Sequence, residues 1–191
     1  MFRQAVLAGC GMWANELILI TLLWLSPFKQ AAPTGQVLEH AVTFRIKNAG
    51  LTVNGSFSDL KASVRFNPDH PTDSQLSASV GVASIRTGLF PRDSHLQSKA
   101  YFDAETYPRM LMQSTRIRRV NETSFVGTFN LTIRGVTRPI DVPFTYTQAD
   151  GRGTFTGQFT INRLDFGVGN KSWLLSEEVR VTIQLITSLT T

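Results

Sequence analysis

Apolar and polar side chains alternate with a period of two along most of this chain, which is typical of β-strands with one buried face. Residues 42–47 (VTFRIK) and 179–185 (VRVTIQL) are the clearest runs. Turn signals such as Asn121-Glu122-Thr123 and Asp150-Gly151 separate the runs. The pattern predicts an all-β fold of about eight antiparallel strands that close into a barrel, because closure removes the exposed edges of a sheet.

One long interval lacks this alternation, residues 86–108 (RTGLFPRDSHLQSKAYFDAETYP). Pro91 can occupy the first turn of a helix, and Asp93 lies where the helix dipole favours an acidic side chain. Leu96 and Ala100 are four residues apart and so fall on one helical face. The interval predicts a short helical connector near residues 91–100 that crosses one end of the sheet.

Three separated motifs carry a resemblance to a known family. The first motif consists of Thr87-Gly88, Arg92-Asp93, His95-Leu96, Tyr101-Phe102-Asp103, Tyr107-Pro108 and Ser114-Thr115. The second motif spans residues 127–139, and the third is residues 161–169 (INRLDFGVG). In order and spacing they resemble the YceI-like family, bacterial lipocalin-like proteins that bind polyisoprenoid chains, over roughly residues 37 to 188. The resemblance implies an eight-stranded lipocalin-like barrel with a lipid in its interior.

The chain departs from the family pattern at the end of its first long strand. Many members have a His-x-Gly pattern there, whereas this chain has Asn48-Ala49-Gly50. A role that needs an imidazole therefore does not carry over to Asn48. The Lys-Asn-Ala-Gly run in this place resembles that of a subgroup, so it does not argue against membership.

The apolar faces of the strands are predicted to point inward. Lipid-facing barrels have girdles of aromatic residues at both interfaces, and here Tyr and Trp number three each against 13 Phe. Met110 and Met112 favour a deformable wall, and Ala78, Gly127 and Gly157 leave room in the interior. The residues predicted to line a ligand site are Phe44, Ile46, Val53, Phe57, Leu60, Phe66, Val80, Met110, Met112, Phe129, Leu131, Phe144, Phe159 and Ile183.

Polar side chains cluster in the predicted connector, at Arg92, Asp93 and His95. Polar groups that become buried need partners, which favours a hydrogen-bonded network that holds the connector over the barrel mouth. Direct contact with a lipid head group is the alternative. Arg163 and Asp165 would point the same way from a strand and pair with each other or with the connector.

No catalytic signature accompanies these residues. The chain has no Gly-x-Ser-x-Gly elbow, and His40, His70 and His95 lie in no metal-ligand spacing. We therefore expect no metal, no catalytic residue and no cofactor, apart from a bound isoprenoid or quinone-like lipid. The alternatives are an enzyme that acts on such a lipid with Asp93 and His95 as acid and base, and a structural or stress-response protein with a filled core.

The net charge of +5, from 19 basic and 14 acidic residues, brings nucleic acid into consideration. The basic residues are dispersed along the strands, and only Arg116, Arg118 and Arg119 cluster. A solvated barrel surface is the better interpretation, so we expect no nucleic-acid partner. Cys10 is the only cysteine, which excludes an intramolecular disulfide.

The first 32 residues form a predicted leader. Residues 17–25 (LILITLLWL) are nine apolar or near-apolar residues, which suit the core of a secretory signal and are too few to span a bilayer, since spanning takes about 20. We expect export, cleavage near Ala32 and a single domain over residues 33–191 in the periplasm or outside the cell. An uncleaved membrane anchor is the alternative, and Met12 is a second candidate start of translation.

The apolar interior and the resemblance together predict a carrier for a polyisoprenoid or similar long lipid that performs no chemistry. Its predicted partners are the apolar lipid, a membrane that it touches transiently near Trp173, and a second copy of the chain in a homodimer.

Overall fold

A computed structural model describes residues 34–189 as an all-β antiparallel fold with one short helix. The strands are β1 (Thr34–Gly35), β2 (Val37–Asn48), β3 (Leu51–Phe57), β4 (Leu60–Arg65), β5 (Gln75–Gly81), β6 (Ile85–Arg86), β7 (Arg109–Arg119), β8 (Ser124–Ile133), β9 (Val136–Ala149), β10 (Arg152–Asn162) and β11 (Leu175–Ser188). Helix α1 is Phe90–Gln97, and Pro71–Asp73, Val82–Ser84 and Arg163–Phe166 form short 3-10 segments. The predicted leader lies outside the described residues.

All eleven strands belong to one sheet, in the order β1-β4-β5-β7-β8-β9-β10-β11-β2-β3-β6. Only Gln36 separates β1 from β2, yet β1 pairs with β4 while β2 pairs with β11 and β3. One continuous stretch of chain therefore contacts both ends of the sheet. This connection curls the sheet into a barrel-like shape with an inner and an outer face.

The predicted number of eight strands is wrong, because the structure has eleven. Strand β1 lies before the first predicted run and is separated from β2 by Gln36, and the apolar-polar runs at residues 51–57 and 60–66 form β3 and β4, separated at Ser58-Asp59. The pairs Thr34–Arg65 and Val42–Phe57 share one register, so the four pieces are a single interrupted hairpin. The break at Asp59 has a physical cause: its carbonyl accepts a hydrogen bond from Gly81 N (2.9 Å), which turns this backbone away from β2. The two-residue strand β6 adds the eleventh.

The prediction of a short helix is confirmed, with shifted bounds. Helix α1 begins one residue before Pro91 and ends at Gln97, because the hydroxyl and the N–H of Ser98 both bond to the carbonyl of His95. Beyond it, tight turns continue to Tyr107, whose N–H bonds to the carbonyl of Asp103 (2.8 Å). The connector therefore folds as helix and turns across one end of the sheet.

Strands β9 and β10 pair over only part of their length. Their register runs from Arg152–Ala149 to Gly157–Phe144 and stops beside Pro143, which has no N–H to donate. Past this point the 3-10 segment Arg163–Phe166 and the loop after it lie against β9, and Arg138 Nε donates to the carbonyl of Asp165 (3.5 Å). The apolar interior at this end is thus closed by loop residues in place of strand pairing.

The interior divides into two regions. Toward the turns at residues 66–74, 120–123 and 150–151, five aromatic rings form a solid cluster that we call the aromatic floor: Phe66, Phe125, Phe144, Tyr146 and Phe155. The ring of Phe66 lies 4.8 to 5.9 Å from the other four centroids, in edge-to-face arrangements that favour aromatic pairs. The second region surrounds a cavity under the connector.

Candidate ligand-binding cavity

A cavity occupies the interior between the aromatic floor and the connector. Its volume is about 180 Å³, and its walls are inward-facing residues of the strands, such as Phe44 and Ile46 on β2 and Val181 and Ile183 on β11. These residues face inward because alternate positions of each strand carry the apolar side chains. The alternative of a completely filled core therefore does not describe this interior, which is solid at the aromatic floor and open above it.

Eleven of the fourteen residues predicted to line a ligand site do line this cavity: Phe44, Ile46, Val53, Phe57, Leu60, Val80, Met110, Met112, Leu131, Phe159 and Ile183. Three do not. Phe129 and Phe144 line a smaller second cavity, and Phe66 lies in the aromatic floor. Phe66 follows the end of β4, where the neighbouring strands bring aromatic rings together and leave no space.

The second cavity, of about 70 Å³, continues the first toward the aromatic floor. Both cavities are lined by Ala78, Met112 and Ile183, so these side chains lie between them. At the roughly 30 Å³ that a water-sized group occupies in a liquid, the first cavity holds about six methylene-sized groups and the second about two. Gly157 lies in the wall of the second cavity, and Gly127 lies under the ring of Phe129.

The aromatic floor closes this end of the interior. Tyr146 is its one polar member, and Gln148 Nε2 donates a hydrogen bond to its Oη (2.6 Å). Burial raises the pKa of the Tyr146 phenol above its ordinary value of 10.0, and the bond from Gln148 opposes that rise. The floor is therefore uncharged at neutral pH.

The other end of the cavity reaches the surface. Asn48 lines it and is exposed, and Thr87, Arg92 and Leu175 line it and are half-buried. We call this opening the mouth. Asn48, where many family members have a histidine, thus lies at the mouth and presents an amide to it.

A hydrogen-bonded network holds the connector beside the mouth. Asp93 Oδ1 accepts from the N–H of Thr87 (2.8 Å) and from its hydroxyl (2.5 Å), and Arg92 donates from Nε to Thr87 Oγ1 and from Nη2 to Thr87 O (both 2.7 Å). Arg92 and Asp93 therefore meet through Thr87. His95 lies outside this network and does not line the cavity. It is exposed and its ring packs edge-on against Tyr101 at 4.9 Å.

Arg163 is buried, at 4% exposure, and does not pair with Asp165. The two residues lie in a 3-10 segment and not in a strand, which turns the Asp165 side chain to the solvent. The guanidinium donates instead to backbone carbonyls in the loop before β11 and at the start of that strand, those of Val168 (2.7 Å), Asn170 (2.8 Å), Leu175 (3.3 Å) and Ser176 (2.9 Å). Arg163 therefore fixes the loop that borders the mouth.

Several lining residues come from segments without strand periodicity. Leu96, Tyr101 and Phe102 of the connector line the cavity, as do Phe166 and Val168 beside the 3-10 segment. Alternation cannot identify them, because their orientation depends on turns and not on a pleated strand. The available signal was the density of apolar and aromatic residues inside the first and third motifs.

Residues 34–189 contain neither a cluster of metal-binding side chains nor a membrane-spanning helix. No three His, Cys, Asp or Glu side chains there are placed to hold a metal ion. None of the helices in this range has the length and apolar composition needed to cross a membrane.

The fold and its cavity define a barrel-like β-protein with an apolar interior. The model of the YceI-like domain matches residues 37–187. This chain therefore belongs to the YceI-like family, as its motifs predicted.

Relatives and solved structures agree with this assignment. A UPF0312 protein of Photorhabdus laumondii is 36% identical over 104 residues, which are 53% of this chain and 54% of that protein, so the match spans about half of the relative. A UPF0312 protein of Pseudomonas savastanoi is 32% identical over 68% of this chain and 72% of its own length.

Two solved structures have the same fold. BcnA of Burkholderia cenocepacia has a TM-score of 0.76 at 27% identity, over 79% of this chain and 99% of that one. A polyisoprenoid binding domain from Saccharophagus degradans has a TM-score of 0.63 at 14% identity, over 83% and 99%. At 14% identity the second likeness concerns the fold alone.

Proposed function

We propose that this protein binds and carries a long apolar lipid of the polyisoprenoid class, held in the cavity and its extension toward the aromatic floor. The observation that carries the proposal is the contrast along the cavity. Almost all of its wall is apolar, although Ser79 and Arg163 also line it, and the polar side chains Asn48, Thr87 and Arg92 lie at its mouth. A ligand with a hydrocarbon chain and a polar head matches that contrast.

Burial of hydrocarbon supplies the binding free energy. Each methylene-sized group removed from water contributes about 0.8 kcal/mol, so about eight buried groups contribute about 6 kcal/mol toward the cost of association without any charged clamp. The thioethers of Met110 and Met112 line the first cavity and adapt to an irregular guest. The Saccharophagus protein of the same fold is a polyisoprenoid binding domain, which supports polyisoprenoids as the proposed ligand class.

We propose a carrier and not an enzyme. The two candidate acid-base residues are not placed for chemistry in the cavity, since Asp93 accepts both hydrogen bonds from Thr87 and His95 lies outside the lining. The dispersed basic residues support the expectation of no nucleic-acid partner. The carrier holds the lipid and no other cofactor.

The proposed location is the periplasm or the outside of the cell, with a signal in residues 1–32 and the membrane-anchored form as the alternative. The length of the apolar run at residues 17–25 supports export. Transient contact with a membrane and association of two copies belong to the same proposal.

Mass spectrometry of organic extracts tests the proposal. Protein purified without denaturation from cells that express the full chain should release one long-chain lipid in stoichiometric amount. The variant Ala78→Phe places a ring between the two cavities and should reduce the lipid at least tenfold. Ser63→Phe, an equally large change at an exposed position of β4, should leave the lipid unchanged.

Circular dichroism and thermal unfolding must show that both variants are folded. Should the wild-type protein contain no lipid, and bind none when isoprenoid is added, the carrier proposal fails. Equal lipid in Ala78→Phe and in the wild type would place the lipid elsewhere on the protein.

A further inference from the structure

Large apolar side chains are exposed around the mouth. Five of the nine exposed large hydrophobic residues between residues 34 and 189 are Leu51, Leu89, Phe90, Trp173 and Leu174, which we call the apolar rim. Trp173 is 92% exposed and Phe90 81%. A concentration of this kind marks an interaction surface more often than isolated exposed residues do.

The apolar rim lies on three segments that border the mouth. Asn48, which lines the mouth, pairs with Leu51 in β3 and with Leu175 in β11, and Ala49 N donates to the carbonyl of Leu174 (2.7 Å). Leu89 and Phe90 lie between Thr87 and Arg92, which also line the cavity at its mouth. An apolar molecule at the rim is therefore next to the cavity entrance.

The rim is held in place by the fold. The carbonyls of Val168, Asn170 and Leu175 are bonded to Arg163, and the hydroxyl of Ser172 accepts hydrogen bonds from the N–H groups of Leu174 (3.2 Å) and Leu175 (3.4 Å). Exposure of Trp173 at the tip of an anchored loop is thus a property of the native state.

The two ends of the barrel-like sheet differ in charge. The three rim segments, residues 47–53, 86–92 and 167–174, contain Lys47, Arg86, Arg92 and Lys171 and no Asp or Glu. The turns at the opposite end, residues 66–75, 120–123 and 149–152, contain Asp69, Asp73, Glu122 and Asp150 against Arg152, and Arg119 from the end of β7 also reaches them, with its Nη1 4.0 Å from Asp69 Oδ1. The side chain of Lys171 is 87% exposed, and its Nζ lies 4.0 Å from Glu177 Oε1.

We propose that the apolar rim docks on the surface of an anionic lipid bilayer and places the mouth against the hydrocarbon. Tryptophan favours the membrane interface, and each basic residue near an anionic surface strengthens binding about fivefold. A lipid then enters or leaves the cavity without crossing water. A second copy is disfavoured at the rim itself, because a two-fold contact there would bring like-charged rims together, so the proposed homodimer would form through another surface. The transfer step depends on the proposed carrier function, whereas the docking itself does not.

Sedimentation with vesicles tests the docking, using the full chain in every case so that residues 1–33 contribute equally. The triple variant Leu51→Ser, Phe90→Ser and Trp173→Ser should bind vesicles of phosphatidylcholine and phosphatidylglycerol at least tenfold more weakly than the wild type. Its control replaces three exposed apolar residues that do not line the cavity, Leu38→Ser, Val120→Ser and Leu189→Ser, and should bind like the wild type.

A charge pair separates the electrostatic part. Lys47→Glu with Lys171→Glu should weaken binding to vesicles that contain phosphatidylglycerol at least tenfold, with little change on phosphatidylcholine alone. Lys61→Glu with Arg65→Glu, on the exposed face of β4, should have a much smaller effect. Added salt should remove the difference between wild type and the rim charge variant.

Equal vesicle binding by the rim variants and the wild type would overturn the docking proposal. Self-association that depends on the rim, without binding to vesicles, would overturn it in favour of a second copy. Rim-dependent vesicle binding by a protein whose extracts contain no lipid would support the docking while the carrier proposal fails.

Discussion

The ring of Phe44 packs directly on the backbone of Gly55, its partner across the β2–β3 pair. Three ring atoms of Phe44 lie within 2.8 Å of the position that a Cβ atom on Gly55 would occupy. Phe44 also contacts Phe57, with ring centroids 5.5 Å apart, and both rings line the cavity. Gly55 therefore determines how far the Phe44 ring lies from the centre of the cavity.

Replacement of Gly55 by alanine should force that ring toward the cavity. We expect Gly55→Ala to lower the free energy of unfolding by about 1–3 kcal/mol, the usual cost of an overpacked site, and to reduce the amount of bound lipid. Urea unfolding and lipid extraction measure the two effects. In a Phe44→Leu background the clash is absent, so adding Gly55→Ala there should cost little stability relative to Phe44→Leu alone. An equal loss of stability from Gly55→Ala in both backgrounds would refute this explanation.

Arg163 holds the loop before β11 without help from a carboxylate. Removal of its guanidinium in Arg163→Met leaves buried carbonyls without donors, and we expect the free energy of unfolding to fall by about 3 kcal/mol. Hydrogen exchange should become faster in residues 167–176. Arg180→Met removes an exposed arginine of β11 and should cost far less, and a similar cost in both variants would contradict the assigned role.

Asp59 should make the stability of the protein depend on acid pH. Arg109 Nη1 donates to Asp59 Oδ2 (2.6 Å), and this hydrogen bond holds the pKa of the Asp59 carboxyl below its ordinary value of 3.8. Its contribution to stability is therefore complete above the unfolded-state pKa and is lost as the pH falls through the lower pKa of the folded state. Melting temperatures between about pH 6 and pH 2.5 should fall less steeply in Asp59→Asn than in the wild type. Parallel curves would show that the pair contributes nothing.

Phe144 should limit the length of the bound chain. It lines the second cavity and belongs to the aromatic floor, so Phe144→Ala extends the space below Met112. We expect a loss of about 3–5 kcal/mol in stability and a shift of the extracted lipids toward longer chains. Phe125→Ala is the matched control, because Phe125 is buried in the same floor but lines neither cavity. The same lipid profile in all three proteins would exclude the floor as a limit.

The contact that separates β3 from β4 and the hydrogen-bond partners of Arg163 could not be predicted from the sequence. Strands β3 and β4 are separated at Asp59, whose carbonyl bonds to Gly81 more than twenty residues along the chain, and nothing near Asp59 in the sequence indicates this contact. Arg163 and Asp165 are two residues apart, so strand periodicity predicted a shared face. Instead, both residues lie in a 3-10 segment, which points their side chains in different directions. The side chain of Asn162 caps this segment by accepting a hydrogen bond from Leu164 N (2.9 Å).

By itself, the sequence determined the antiparallel strands, their inward faces, the helical connector and the family, because these follow from local periodicity, turn chemistry and ordered motifs. Only the tertiary structure decided where that apolar interior is open and where it is solid. Phe57 and Phe66 look alike in the sequence, yet one lines the cavity and the other fills the aromatic floor. The difference depends on which rings the neighbouring strands bring opposite each one, and that is a property of contacts between segments far apart in the chain.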